Sequence, residues 1–250
     1  MPTDAICYHD AYARSSTGSV LRSEPADDAH GIVELDRTVF YPGGGGQPAD
    51  HGWLTAPDGT RWEVRTARRE AGAIVHEVVA SAGVPLPPVG ASLTAELDWD
   101  RRHLLMRTHT ALHALCGVVW RDHGALVTGG NMEPGRGRMD FEFESLSAEL
   151  AGSIEATVNA ELAAERTVRV RFLTLEQAAA TPDLIRTRTN LLPEGITEVR
   201  VIDIEGLDMQ ADGGTHVANT REVGSIRITG TESKGRINKR IRLELVDPVG

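Results

Sequence analysis

Along residues 1–97 apolar and polar positions trade places at short range, the spacing of strands whose alternate side chains face opposite sides. Residues 6–12, GIVELDRTVF (31–40), GWLTAPDG with its Asp58-Gly59 turn, RWEVRTA, AGAIVHEVV and ASLTAEL (91–97) each read as a strand bounded by turn residues. Several short strands of this kind predict a small β-barrel, because closure removes the exposed edges. The segment SAGVPLPPVG (81–90) is rich in proline and glycine, yet another strand follows it. It therefore reads as a barrel loop, and the domain boundary is expected between residues 97 and 98.

From Asp98 the period changes to that of a helix. Asp98 or Asp100 can serve as N-cap, and Leu105, Leu112, Leu115, Cys116 and Val119 form one apolar stripe. Ser147 can cap a second helix in which Leu150, Ile154, Val158 and Leu162 recur every four residues. Alternating runs surround these helices: RMDFEFE (138–144), TVRVRFL (167–173), TEVRVIDI (197–204), GSIRITG (224–230) and RIRLEL (240–245). The predicted class is α+β, a barrel over residues 1–97 followed by a domain over 98–250 whose helices pack on a mainly antiparallel sheet. Residues 186–193 read as a mobile loop.

Composition narrows the picture. With 40% hydrophobic residues the chain can bury a core. No run approaches the ~18 apolar residues of a membrane span, and the start MPTDAICYHD lacks a basic-then-apolar leader, so a cytoplasmic protein is expected. Cys7 and Cys116 belong to no paired motif and read as small buried hydrophobes. A net charge of −10 argues against general coating of nucleic acid, so any RNA contact must be local. One place stands out: between Ile226 and Leu243, Arg227, Lys234, Arg236, Lys239, Arg240 and Arg242 face a single acid, Glu232.

Two segments carry metal chemistry. In THTALHAL, His109 and His113 stand four apart, which places both imidazoles on one helix face. Such a pair is common by chance, and Thr110 occupies the place where a zinc protease has glutamate. In DMQADGGTHVANT, Asp212 and His216 are again four apart, here across Gly-Gly-Thr, which suits a tight loop. Three histidines and a carboxylate suit zinc. On these residues alone, a helix-surface histidine pair and an ordinary Asp-Gly turn remain equally open.

The order HTALH, GGTHVANT and SKGRINKRIRL resembles the editing domain of alanyl-tRNA synthetase and its free-standing relatives, the AlaX proteins. FYPGGGGQPADHG (40–52) is similar to the FYP-x-GGGQP-x-D-x-G segment of the barrel that precedes that domain, and LDWDRRHLLMRTHTALH continues the similarity across the junction. At 250 residues there is no room for an aminoacylation domain, so the likeness is to the longer, two-domain AlaX type.

The resemblance implies a trans-editing hydrolase that deacylates Ser-tRNA(Ala), and Gly-tRNA(Ala) with it, using one zinc ion on His109, His113, Asp212 and His216. Asp212 stands where the family commonly has the cysteine of CGGTH; a hard carboxylate for a soft thiolate should loosen the choice of ion. Thr128 matches the position used against serine, and Gln210 is a second candidate facing the substrate. Gly44, Gly45, Gly46 and Gln47 would let backbone approach the tRNA end, and Lys234, Arg236, Lys239 and Arg240 would meet phosphates. The glycines equally suit a sharp barrel corner, and they match no nucleotide-binding fingerprint. HTALH holds no acid to act as an obvious general base, so the base stays unassigned, with Asp208 one candidate. Two alternatives stay open: a non-catalytic binder of aminoacyl-tRNA, and an editor of Ser-tRNA(Thr), against which the glycine-rich barrel segment speaks.

Overall fold

A computed structural model describes residues 3–27, 29–181, 184 and 197–246. The expected loop at 186–193 lies outside them. The chain divides into two compact units, Met1–His103 and Leu104–Gly250, with the division falling inside helix α1 (Trp99–His123).

The first unit is the expected barrel. It contains β1 (Asp4–Ala5), β2 (Ser15–Pro25), β3 (His30–Leu35), β4 (Arg37–Thr38), β5 (Gly52–Thr55), β6 (Arg61–Glu70), β7 (Ala73–Ala80) and β8 (Ser92–Leu97). Six of these close in the order β2-β3-β7-β6-β5-β8, every neighbouring pair antiparallel. Their inward alternation fills the interior with Val33, Leu35, Leu54, Trp62, Val64, Val78 and Leu93. At the predicted hairpin, Asp58 accepts the Thr60 N–H at 2.9 Å and Gly59 takes φ +88°, the backbone a tight β5–β6 turn needs.

Residues 6–12 depart from expectation. Ile6–Tyr8 forms a single 3-10 turn, closed by the His9 and Asp10 N–H groups on the Ile6 carbonyl, because only Cys7 is buried there. β2 was not legible at all. Its inward positions include Gly18, where a Cβ would come within 2.5 Å of the Arg37 carbonyl, so the strand offers no apolar alternation to read.

His76 sits wholly inside the barrel, hydrogen-bonded through Nδ1 to the Val33 carbonyl (3.0 Å) and through Nε2 to the Thr38 hydroxyl (2.9 Å). That arrangement satisfies the neutral ring, and burial pushes its pKa down to about 4. Because the unfolded chain titrates near 6.5, the unfolded state binds the extra proton first, and stability falls as pH drops from about 6.5 towards 4. His76→Gln should remove up to about 3 kcal/mol of that acid-induced loss. Urea unfolding at pH 7 and pH 4.5 measures it; an unchanged difference between the two pH values would show that His76 is not the group responsible.

The second unit continues α1 and adds β9 (Val127–Glu133), β10 (Arg136–Glu142), α2 (Ala148–Ala163), β11 (Val168–Thr174), α3 (Leu175–Ala180), β12 (Glu198–Ile204), β13 (Asp208–Ala211), β14 (Ser225–Ser233) and β15 (Asn238–Val246). Two antiparallel sheets result, β14-β15-β10-β9 and β11-β12-β13. Asp98 begins α1 by accepting the Arg101 N–H (3.1 Å), and the predicted stripe from Leu105 to Val119 is buried. Gly137 on β10 lets Leu112 close in, since a Cβ there would lie 2.9 Å from that side chain.

Ser147 caps α2 as expected, accepting from the Leu150 N–H at 3.1 Å. The buried face of α2 begins at Ala151, with Leu150 only half-buried, and continues through Ile154, Val158 and Leu162. Asn159 fastens it to β14 by pairing both sides of its amide with the Ile226 backbone (2.8 and 3.0 Å). Among the described residues no helix is long and apolar enough to cross a membrane.

Candidate metal centre and catalytic site

Helical periodicity carries His109 and His113 to one side of α1, and the loop after β13 brings Asp212 and His216 against them. One donor atom from each of the four lies within 4.8 Å of the others, and all four side chains are at least nine-tenths buried. The closest pairs are His216 Nε2 to Asp212 Oδ2 at 3.2 Å, His109 Nε2 to Asp212 Oδ1 at 3.5 Å, and His113 Nε2 to Asp212 Oδ1 at 4.0 Å. A tetrahedral ion bonded at about 2.1 Å has ligand–ligand edges of about 3.4 Å, so the cluster is close to a metal-ready size. The imidazole planes pack at centroid distances of 4.3–5.1 Å, with His109 and His216 stacked.

Burial decides the protonation of this cluster. It pushes His109 down to about 4, helped by His113 and the Arg200 guanidinium and opposed by Asp212. His216 is also driven well below the usual histidine range, by burial first and then by its histidine neighbours. Asp212 is held well below the carboxylate range: burial opposes ionisation, but the attraction of His109, His216 and His113 outweighs it. His109 and His216 are thereby biased to the neutral imidazole and Asp212 to the carboxylate anion, the forms that bind a divalent ion.

The partners around these side chains were not read from the sequence. His113 Nδ1 is 2.9 Å from Asp208 Oδ2, and His216 Nδ1 is 3.2 Å from the Thr110 hydroxyl, whose oxygen also accepts the Val217 N–H at 3.3 Å. Arg200 on β12 donates to the Asp212 carbonyl at 2.8 Å, and its own carbonyl accepts the Asp212 N–H at 3.2 Å. Asp212 Oδ2 accepts the Gly214 N–H at 2.5 Å, which folds the Gly-Gly turn. One sequence signal was available: Asp208 and Gln210 alternate along β13, with Asp212 two residues further on, so a polar face, not an apolar one, looks inward.

Other expected site residues fall variously. Asp208 has a fully buried side chain engaged with His113 at 2.9 Å. Gln210 is buried, and its amide nitrogen donates to Asp208 (2.9 Å) and Cys116 (3.2 Å). Cys7 and Cys116 are both buried, as expected. Thr128 lies half-buried on β9, its hydroxyl donating to Asn238 Oδ1 at 3.0 Å.

In the barrel unit Gly43 to Gly46 all take positive φ, and Gly44 and Gln47 exchange two backbone hydrogen bonds around a Gly45-Gly46 turn. Gly44 and Gly45 are exposed, while Gln47 is buried. Of the basic residues on the β14–β15 hairpin, Lys239 is turned inward onto the Gly235 and Arg236 carbonyls (2.8 and 2.9 Å). Arg240 clasps Asp140 through two bonds of 2.7 and 2.8 Å. Lys234 and Arg236 stay exposed at the turn, Lys234 with Glu232 at 3.2 Å.

Comparison with known proteins places this geometry. The family described as "Threonyl and Alanyl tRNA synthetase second additional domain" matches residues 199–242, and "tRNA synthetases class II (A)" matches residues 13–101. The alanyl-tRNA editing protein AlaX-M of Saccharolobus solfataricus is 35% identical over 240 residues, covering 96% of this chain and 97% of its own. The chain belongs to the AlaX-M family. The AlaX-M protein of Methanosarcina mazei is 34% identical, over 98% of this chain and 97% of its own. The alanine–tRNA ligase of Pyrobaculum neutrophilum is 35% identical over 92% of this chain but only 25% of its own length. The family resemblance drawn from HTALH, GGTH and the glycine-rich segment is therefore borne out, as is the reading of the chain as an enzyme of alanyl-tRNA editing. The residues from Val199 to Arg242 that match the second additional domain include Asp212 and His216, half of the metal cluster.

Proposed function

We propose that the chain hydrolyses the ester joining a wrong amino acid to tRNA(Ala), serine foremost and glycine with it, in the cytoplasm. A zinc ion on His109, His113, His216 and Asp212 serves the reaction. The observation that carries this reading is the buried convergence of three histidines and one carboxylate, in a chain whose relatives are named for alanyl-tRNA editing. Nitrogen and hard oxygen donors both suit zinc. When bound, zinc supplies Lewis-acid polarisation of the ester and lowers the pKa of water.

The chain's own residues prepare the site. With Nδ1 engaged by Asp208 and Thr110, His113 and His216 present Nε2 inward, and Arg200 fixes the loop that carries Asp212. In this reading residues 1–97 form a barrel whose Gly44, Gly45, Gly46 and Gln47 approach the tRNA end, and residues 98–250 form the editing domain. Lys234 and Arg236 are the phosphate contacts, since Lys239 and Arg240 are spent on internal partners.

Thr128 is the selectivity group. Its proton goes to Asn238, which leaves its oxygen lone pairs to accept a hydrogen bond from serine's hydroxyl, a bond that alanine's methyl does not make. Deacylation assays with Ser-, Gly- and Ala-tRNA(Ala) test the proposal. The expected outcome is cleavage of the first two, sparing of the third, and loss of activity on chelation. Cleavage of Ala-tRNA(Ala) as fast as the serine ester, or no cleavage by metal-loaded protein, would overturn it. In the same assay Thr128→Val should erode the preference for serine over alanine by about 10- to 100-fold, the worth of one buried hydrogen bond.

A further inference from the structure

Behind the metal cluster lies a second layer of polar side chains. Asp208 is completely buried at the start of β13, and its carboxylate receives two groups: His113 at 2.9 Å and the Gln210 amide nitrogen at 2.9 and 3.1 Å. The same amide nitrogen reaches Cys116 Sγ at 3.2 Å, one helical turn beyond His113 on α1. An ionised carboxylate in such a place needs donors, and these side chains provide them.

The backbone is shaped to make the layer possible. Gly117 on α1 faces the Leu207–Asp208 segment so closely that a Cβ would lie 2.9 Å from the Leu207 carbonyl and 3.0 Å from the Asp208 Cβ. A larger residue at 117 would hold α1 off β13 and part His113 from Asp208.

We infer that Asp208 is a positioning residue for the metal centre: it holds the proton of His113 on Nδ1, turns Nε2 toward Asp212 and His216, and offsets part of the ion's charge. The inference rests on the metal reading of the four-residue cluster and adds the residue that organises it. A carboxylate bonded to the far nitrogen of a ligating imidazole fixes the tautomer and raises the basicity of the near one. Gln210 serves Asp208 in turn, holding the carboxylate so that one oxygen faces the ring.

The test measures metal binding, not turnover. Protein stripped with chelator is titrated with zinc against a chromophoric competitor, for wild type and for Asp208→Asn, which keeps the shape but removes the charge. Zinc affinity should fall about 10- to 100-fold in the variant. The cobalt-loaded variant should also show an altered visible spectrum as His113 loses its fixed orientation. Wild-type zinc affinity in a folded Asp208→Asn protein overturns the role of Asp208 while leaving the metal centre standing. Absence of zinc binding by the wild type overturns both. If the variant does not fold, ¹⁵N-histidine spectra of the wild type decide: His113 should carry its proton on Nδ1, and a proton on Nε2 overturns the inference.

Discussion

His216→Ala should lower the rate of Ser-tRNA(Ala) deacylation by about a thousandfold or more, since metal assistance is worth several kcal/mol of barrier. His216 is stacked on His109 and touches Asp212, so its removal takes a donor from the middle of the cluster. The loop should survive the change. Val217 still donates its N–H to Thr110, Asp212 still accepts from Gly214, and Arg200 still holds the Asp212 carbonyl. The variant also relieves the chain of an imidazole whose protonation is suppressed by burial first and then by His109 and His113. Activity and bound zinc should therefore vanish together while the thermal midpoint of metal-free protein moves little. Single-turnover deacylation with metal analysis checks this, and wild-type kinetics in the variant would show that the cluster is not the reacting centre.

Arg102→Met should destabilise the barrel unit by about 3–5 kcal/mol, the cost of leaving a buried carboxylate without its partner. Arg102 and Asp50 are both essentially inaccessible to water. Arg102 Nε bonds Asp50 Oδ1 at 2.9 Å, and one terminal nitrogen makes a further close bond to Oδ2. The guanidinium also donates to the carbonyls of Ala11 (3.0 Å) and Val39 (2.8 Å). Burial opposes the charge on Arg102, and the attraction of Asp50 more than restores it. Asp50 in turn accepts the Tyr41 N–H at 2.6 Å, while the Tyr41 hydroxyl donates to Gly44 at 3.0 Å. The ion pair thus anchors both ends of the glycine-rich segment, and its loss should loosen that segment as well as lower stability. Chemical denaturation gives the magnitude. A loss below about 1 kcal/mol, the worth of a surface ion pair, would contradict the account.

Barrel and helices were legible because their apolar residues keep a strict period, as in ASLTAEL and in the stripe from Leu105 to Val119. Ser147 was legible as a cap because its side chain does one local job. β2, β9 and β13 were not, for two distinct physical reasons. Glycine replaces an apolar residue where backbones approach, as at Gly18 in β2, and Gly129 and Gly130 interrupt the apolar alternation of β9. In β13 the inward positions are polar because they face the metal cluster and not the core. The four cluster residues could be found from spacing and family likeness, since each pair is local. Asp208, Thr110 and Arg200 could not, because their roles depend on partners 12 to 106 residues away. The basic run was legible only in part for a similar reason: sequence shows the charges of Lys239 and Arg240 but not the backbone carbonyls and Asp140 that they meet.

Asp212 gives the centre one more property. Its donor set contains nitrogen and oxygen only, and Cys116 is buried behind it against Gln210. A thiolate at that position would be open to sulfenic acid formation, and a ligand oxidised in that way releases its ion. With a carboxylate there, peroxide has no sulfur to attack at the cluster. On the proposed metal reading, deacylation by this chain should persist through peroxide treatment that would oxidise a thiolate ligand placed at position 212.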